Sequence, residues 1–565
     1  MLSALWHASA HRASIALSLS LSLLLSLHAP AIAQGTLFRV GPLPTDAAQT
    51  APSNGIGDID ADGFPDFAIG LARANAFDGM VELRSGRTGT VLGTLRGDPG
   101  AAGSFGASMS GVGDLDGDGH DDFVVGMPRQ PSPFLHADRV GAARLFSGRD
   151  LRPIVSFYGD GRGDPGGAAG AGLGDVNGDG IPDLGIGAPE NGDPVGHYGT
   201  GYARVYSGAD FRSLRRIAGQ ATGDEFGSSL AGVGDLDGDG ADEFMIGSLL
   251  EYRNGGQGSA RVYSGRTFAV RYAWFAEPGT DHFGVSLGRA GDIDGDGIGD
   301  MLVGAIGMTS PIRGAIWFYS GLDGSLIQLI RGDATSGVFG LGCAAAGDVD
   351  QDGFGDVFVT DPMDSSAGAM TGALHLYSGR NGRRIWTVHG PNAGSMYGRQ
   401  FGMVGDLDGD GLPECLVSVP MVARPPGHAA RVDVVSTAGP ISTVGRGCGA
   451  TRVPHLDATS PTLGTTLTAM VSSRPIPSPG VLLLGPVPDL PMRWVADCTL
   501  YVDIGGASVV SAFVTDRAGR HVAALPIPGN AALAGARFAM QALVVATAGY
   551  QLYDVSNGVY ATIVR

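Results

Sequence analysis

The stretch Gly113–Asp122, GDLDGDGHDD, decides the architecture of this chain, because it is one of seven copies of the same short acidic signature. The copies begin at Asp58, Asp114, Asp175, Asp235, Asp292, Asp348 and Asp406, so successive starts lie 56, 61, 60, 57, 56 and 58 residues apart. A period near 60 residues is one supersecondary unit repeated in space. Each copy reads D-x-[DN]-x-D-G-x-x-[DE]. Carboxylates at positions 1, 3 and 5, a glycine at 6 that permits a sharp turn, a carbonyl at 7 and an acid at 9 suit a hard Ca2+ ion, which takes six to eight oxygens.

The candidate ligands are Asp58, Asp60, Asp62 and Asp66; Asp114, Asp116, Asp118 and Asp122; Asp175, Asn177, Asp179 and Asp183; and Asp235, Asp237, Asp239 and Glu243. They continue with Asp292, Asp294, Asp296 and Asp300; Asp348, Asp350, Asp352 and Asp356; and Asp406, Asp408, Asp410 and Glu414. Up to seven Ca2+ ions are expected. An EF-hand shares the first six positions, but it closes with an acid at 12 and is followed by a helix, whereas here strand-like apolar runs follow. A single such loop is often only an Asp/Gly-rich turn; seven in register are not.

Between signatures the order of segments is regular. In the second unit it runs FGASMSGVGD, the acidic loop, DFVVGMP, a variable loop, GAARLFSG and IVSFYGD, which makes four short strands. The third strand ends in a recurrent [YF]-S-G, as at Tyr206, Tyr263, Tyr319 and Tyr377. Four-stranded units repeated radially close into a propeller, which leaves no long exposed edge. The expected fold is all-β: a seven-bladed β-propeller followed by a small β-sandwich-like domain.

The pairs Phe105-Gly106, Phe226-Gly227, Phe283-Gly284 and Phe339-Gly340, followed by Gly126, Gly187-Ala188-Pro189, Gly247 and Gly304-Ala305, resemble FG-GAP repeats, those of the integrin alpha-subunit propeller. The resemblance covers roughly residues 36 to 446. It implies Ca2+ in the acidic loops of the lower face and ligands on the upper face. Blade 1 lacks the FG pair, blade 3 has Gly166-Gly167 and blade 7 has Tyr397-Gly398 in its place. Either Leu37–Val40 or Ile441–Val444 supplies the strand that closes the ring, and the N-terminal segment is the favoured one.

The 565 residues hold 95 Gly and 33 Pro with 43% hydrophobic content, a turn-rich folded composition. Residues 1–33 read as a signal peptide, with Arg12, the apolar run Ile15–Leu27 and Ala31-Ile32-Ala33 as cleavage site. No later stretch has the length and apolarity of a transmembrane helix. The propeller then spans 34–446 and the C-terminal domain 447–565. The net charge of -19 comes largely from the loops, which hold 27 of the 56 acids, and it argues against a nucleic-acid partner. Lysine is absent, so P-loop, Schiff-base and lysine-base chemistry are excluded.

Of four cysteines, Cys343 and Cys415 fall at apolar core positions of the repeat. Cys448 and Cys498 lie outside it and are the expected disulfide. The C-terminal segments, including SPGVLLLGP and ARFAMQALVV, resemble the small β modules that end many large exported bacterial repeat proteins.

Two tempting motifs reduce to repeat register. Gly284-Val285-Ser286-Leu287-Gly288 matches a nucleophile elbow, yet the same place reads GASMS and GSSLA in other blades. Arg96-Gly97-Asp98, Arg162-Gly163-Asp164 and Arg331-Gly332-Asp333 share one position before the FG pair, where blade 4 has Thr222-Gly223-Asp224, so Gly-Asp is the structural element. The histidines show no metal-ligand spacing. Recognition is expected of the loops after the second strands, with Phe134, His136 and Arg139; His197 and Tyr198; and Glu251, Tyr252 and Arg253.

The expected protein is an exported, calcium-binding, non-enzymatic binding or adhesion protein, secreted or at the cell surface, with a protein or polysaccharide ligand. The alternatives are an extracellular hydrolase or lyase with its site on the upper face, and a purely structural envelope component.

Overall fold

The structure is a computed structural model that describes residues 35–40 and 52–436, apart from 134–138, 162–163, 191–198, 252–256, 278–279, 308–312, 351, 408–410 and 421–430, together with the strand backbones of 441–562. Residues 38–437 form one compact unit, and a second is drawn mainly from 438–565.

The first unit is a seven-bladed propeller of four-stranded antiparallel sheets. Blade 1 runs Ser53–Gly57, Asp66–Gly70, Met80–Arg84 and Val91–Arg96; blade 2 runs Met109–Gly113, Asp122–Met127, Ala142–Phe146 and Pro153–Tyr158. Blade 3 is Ala169–Gly174, Asp183–Ala188, Tyr202–Tyr206 and Ser213–Ala218, and blade 4 is Phe226–Gly234, Glu243–Ser248, Ser259–Tyr263 and Val270–Phe275. Blade 5 is Asp281–Gly291, Asp300–Ile306, Ala315–Tyr319 and Leu326–Arg331, and blade 6 is Cys343–Gly347, Asp356–Asp361, Ala373–Tyr377 and Arg384–His389. In blade 7, Phe401–Gly405, Glu414–Val419 and Arg431–Ser436 are joined by Gly35–Val40 as the outermost strand. The N-terminal strand thus closes the ring. Ile441–Val444 pairs instead with Gly558–Thr562.

Burial follows strand order. The second strand of blade 2 is buried at every position, while the fourth strand of blade 4 alternates between exposed and half-buried residues, as an outer edge should. The core lies between blades: Ile56, Ala68, Val81 and Leu83 of blade 1 pack against Phe105, Met109, Phe123 and Phe146 of blade 2. The aromatic residues of the FG pairs, Phe105, Phe226, Phe283 and Phe339, are all buried in these seams, and Tyr397 takes the same role in blade 7. Cys343 and Cys415 are buried free thiols, in keeping with apolar positions of the repeat.

A close backbone approach explains the glycines of the second strands. A Cβ on Gly187 would overlap the carbonyl oxygen of Gly227, the FG glycine of the next blade, and Gly70, Gly126 and Gly304 stand in the same relation to Gly106, Gly167 and Gly340. Blades are therefore locked backbone to backbone at this level, with no space for a side chain.

The second unit contains antiparallel sheets. One has six strands, in the order Ile441–Val444, Gly558–Thr562, Arg537–Val545, Pro479–Gly485 and Ser508–Val514, with Tyr553–Val555 also paired to Arg537–Val545. A three-stranded sheet joins His455–Ala458, Thr466–Ser472 and Arg520–Pro526, and Met492–Val495 pairs with Cys498–Leu500. The expected Cys448–Cys498 pairing and the signal peptide over 1–33 lie outside the described residues. No helix among the described residues is long and apolar enough to cross a membrane.

Candidate metal centres

Each acidic loop joins the first strand of a blade to its second, so all seven project from one face of the ring. The opposite face carries the loops between second and third strands and those between blades. The glycine at position 6 has φ between 84° and 90° in every loop, from Gly63 to Gly411, a left-handed conformation that other L-residues adopt only under strain.

That turn wraps the loop around its first carboxylate. In loop 2, Asp114 Oδ1 accepts the N–H groups of Gly117 and Asp118 at 2.8 and 3.1 Å, and Oδ2 accepts that of Gly119 at 2.9 Å. Loop 3 repeats this at Asp175, with Gly178, Asp179 and Gly180 donating at 2.7, 3.0 and 2.6 Å. The carboxylate at position 5 accepts the N–H of position 7, as in Asp118 with His120 at 3.0 Å and Asp296 with Ile298 at 2.8 Å. These bonds orient acids that repel one another.

The acid at position 9 is fully buried in every blade: Asp66, Asp122, Asp183, Glu243, Asp300, Asp356 and Glu414. It also acts as a strut. Asp122 accepts the N–H of Leu115 at 3.0 Å with one oxygen and that of Gly148 at 3.1 Å with the other. Gly148 is the glycine of the third-strand [YF]-S-G motif, and Gly86, Gly208, Gly321 and Gly379 make the same bond to Asp66, Asp183, Asp300 and Asp356. The recurrence of S-G in the sequence therefore has a physical cause in blades 1, 2, 3, 5 and 6, where it ties the outer hairpin to the acidic loop.

Ligand oxygens converge in these loops. One oxygen from each of Asp58, Asp60 and Asp62 lies within 4.8 Å of the others, and the same holds for Asp114, Asp116 and Asp122, for Asp235, Asp237 and Asp239, and for Asp292, Asp294 and Asp300. Burial, the largest cause, pushes Asp66 and Asp356 up to about 7 and Asp122, Asp183 and Asp300 up to about 6. Glu243 Oε1 and Asp350 Oδ1 are buried without a hydrogen-bond partner. Buried carboxylates in this state call for a cation or a proton, and an all-oxygen donor set of this geometry fits Ca2+. Loop 4 differs, because Arg271 pairs with Asp237 and Arg266 lies 3.4 Å from Asp239, so a cation there displaces two guanidinium groups. Asp408 and Asp410 of loop 7 lie outside the described residues.

Sequence reasoning missed the acid at position 8 in loops 2 and 4. Asp121 Oδ2 accepts the N–H of Asp58 at 2.9 Å and its own N–H donates to Asp58 O at 3.1 Å; Asp242 does the same to Asp175 at 2.9 and 2.8 Å. These bonds couple the loops of neighbouring blades. The doubled acids Asp121-Asp122 and Asp242-Glu243 were the available signal.

The Gly-Asp turns are structural. Asp98 receives Arg144 Nη1 and Nη2 of the next blade at 3.2 and 3.0 Å and Gln130 Nε2 at 2.8 Å. Asp164 is buried and accepts the Tyr202 hydroxyl at 2.7 Å; Asp333 accepts Thr335 N–H at 2.8 Å and faces Arg384 at 3.5 Å. Arg96, by contrast, is exposed. Asp98→Ala should lower stability by about 1–3 kcal/mol through the guanidinium it strands, and Arg96→Ala should change it by no more than about 0.5 kcal/mol. Equal melting temperatures for the two variants would contradict this assignment.

Ser286 is engaged in the seam between blades. Its hydroxyl accepts the N–H of Cys343 in the next blade at 3.1 Å, and Ser108 and Ser229 at the same register reach the carbonyls of Gly167 and Gly284 at 2.9 and 2.5 Å. An axial cavity of about 560 Å³ is lined by first strands, including Gly55, Gly111, Gly288 and Ala344, and among the described residues Arg289 is the one charged side chain in its lining.

On the face opposite the acidic loops, Arg139 is exposed with φ of 62°, whereas Phe134, His136, His197, Tyr198, Tyr252 and Arg253 lie outside the described residues. Glu251 is not a surface group as expected. It is buried against Arg261, 2.9 Å away, with the Ser259 hydroxyl at 3.0 Å, because that guanidinium enters the blade and needs a counter-charge. The histidines are also not all isolated: His375 meets Asp361 and Asp364 at the upper end of blade 6, residues whose sequence spacing gave no sign of it.

An FG-GAP repeat model matches residues 105–144. The chain is 30% identical over 226 residues to integrin alpha-5 of Xenopus laevis, covering 37% of this chain and 20% of that protein. It is 30% identical over 220 residues to integrin alpha-V of Gallus gallus, covering 36% and 20%, and 32% identical over 204 residues to integrin alpha-PS2 of Drosophila melanogaster, covering 32% and 14%. The match thus spans about a fifth or less of the length of these relatives. A solved structure of the Dos1 propeller aligns with 67% of this chain and 77% of its own at 13% identity and a TM-score of 0.39.

Proposed function

We propose that this chain, whose FG-GAP propeller is integrin-alpha-like, is an exported Ca2+-binding protein that engages a protein or polysaccharide at or outside the cell surface. Residues 1–33 act as the signal peptide, the seven acidic loops hold structural Ca2+, and the opposite face presents the recognition loops. The observation that carries the calcium reading is the convergence of oriented carboxylates in loop after loop, each beside a buried acid at position 9. The ion supplies the positive charge that these loops lack, while the chain's own N–H groups fix the position of each carboxylate.

The binding reading is supported by the integrin similarity and by loops of differing length after the second strands, set on a rigid ring. The engaged Ser286 and an axial cavity with a single charged side chain favour recognition over catalysis. Truncating a recognition hot spot costs about 2 kcal/mol or more, ~30-fold in affinity. Surface capture of the purified full chain on immobilised matrix proteins and polysaccharides, at constant Ca2+, should weaken by that order in Arg139→Ala or Tyr252→Ala/Arg253→Ala. Capture unchanged in all of these folded variants would sink the assignment of the recognition face.

A further inference from the structure

The middle residue of the third strand occupies one register in every blade, and in three of them it is an arginine opposite an apolar second-strand residue: Arg144, Arg204 and Arg261. Each of these guanidinium groups has an acid, Asp98 at 3.0 Å, Asp160 at 2.7 Å and Glu251 at 2.9 Å. Blade 6 has His375 at this register, opposite Val359. Asp364 stands three residues past the second strand, where blade 4 has Glu251, but the guanidinium is not there.

Asp361 and Asp364 are both buried beside His375, and one ligand atom from each of the three lies within 4.8 Å of the other two. Asp361 Oδ1 accepts the N–H groups of Val338 and Gly337 at 2.9 and 3.2 Å, whereas Oδ2 is buried with no hydrogen-bond partner. The neighbouring Ser336 hydroxyl also favours the ionised form of Asp361, but burial is the larger effect and raises its pKa. Asp364 is oriented by Ser366 N–H and hydroxyl at 3.0 and 2.5 Å and by the Thr335 hydroxyl at 3.1 Å. His375 Nδ1 lies 2.8 Å from the Thr387 hydroxyl, which fixes the ring.

His375 is buried beside the two acids and offers an imidazole nitrogen next to their oxygens. His389 approaches from the fourth strand, with Nδ1 3.5 Å from Asp364 Oδ1. Arg384, on the same strand, faces Asp333 at 3.5 Å. Two buried carboxylates and an imidazole, with Asp361 Oδ2 buried and unpartnered, make a donor set for a cation that accepts both oxygen and nitrogen. Such a donor set selects a borderline transition ion over Ca2+, which takes oxygen alone.

We infer that Asp361, Asp364 and His375, with His389 on the outer side, hold a divalent transition-metal ion of the zinc type on the face opposite the Ca2+ loops. Gly337, Val338, Ser366, Thr335 and Thr387 orient the ligands from behind. The ion takes the place of the arginine that braces blades 2, 3 and 4.

The test is equilibrium dialysis of the full chain against Zn2+ with Ca2+ saturating, read by elemental analysis. One zinc per chain should be retained against millimolar Ca2+, with affinity falling ~100-fold in His375→Gln and in Asp361→Asn. No retained zinc in the unmodified chain, or equal retention in these variants when folded, overturns the proposal. Should both variants fail to fold, X-ray absorption at the zinc edge of the unmodified chain decides. Imidazole nitrogen and carboxylate oxygen at about 2.0–2.2 Å support the site, and a spectrum without imidazole scattering overturns it.

Discussion

Removing calcium from the mature chain should lower its melting temperature by more than about 10 °C. The magnitude follows from linkage, since each site filled at a hundredfold over its Kd contributes about 2.7 kcal/mol, and four such loops together contribute about 11 kcal/mol. The physical origin is the set of buried acids at position 9. Without a cation, Asp66 and Asp356 hold their protons to about pH 7 and Asp122, Asp183 and Asp300 to about pH 6. A carboxyl whose folded pKa lies above its unfolded value stabilises the fold below the unfolded pKa and loses that contribution as pH rises through the folded one. In chelator, these five groups therefore lose stability between about pH 4 and pH 7. The melting temperature in chelator should rise on going from pH 7.5 to pH 5.5, and added Ca2+ should abolish or reverse that slope. A melting temperature indifferent to chelator at pH 7.5 would leave the loops as plain turns.

The second large effect concerns the seams. Gly187→Val places a branched side chain where Gly187 already lies against the Gly227 carbonyl of the next blade, with Ala169 Cβ 3.2 Å from the new Cβ. Backbone cannot yield there as a flexible side chain would, so the overpacking penalty should reach about 3 kcal/mol or more. Gly161→Ala is the control, because a Cβ at Gly161 meets nothing within 4 Å. Denaturant unfolding of the two variants should separate them clearly; equal midpoints would mean that the blades do not meet backbone to backbone.

The architecture was legible because the repeat imposes register. Aligning the seven acidic loops fixed the strand order, the buried phenylalanines of the FG pairs, the apolar roles of Cys343 and Cys415 and the structural meaning of Gly-Asp. Ring closure needed the structure, since both Leu37–Val40 and Ile441–Val444 read as strands and pairing is what selects the N-terminal one, the segment the sequence favoured. What the repeat average hides are positions where one blade departs from the others. Glu251 read as a loop acid because its partner Arg261 lies across a hairpin. Asp361, Asp364 and His375 escaped for the same reason, since His375 joins the two acids through strand pairing and not through a local spacing motif. Asp121 and Asp242 act on the preceding blade, a contact that no single repeat contains.

The central claim is that bound Ca2+ builds the propeller, and calorimetric titration of the metal-stripped mature chain tests it most directly. The account requires several Ca2+ per chain, up to seven, with the melting temperature rising in step with occupancy. A titration with no heat of binding, no bound calcium by elemental analysis and no change in melting temperature would contradict it.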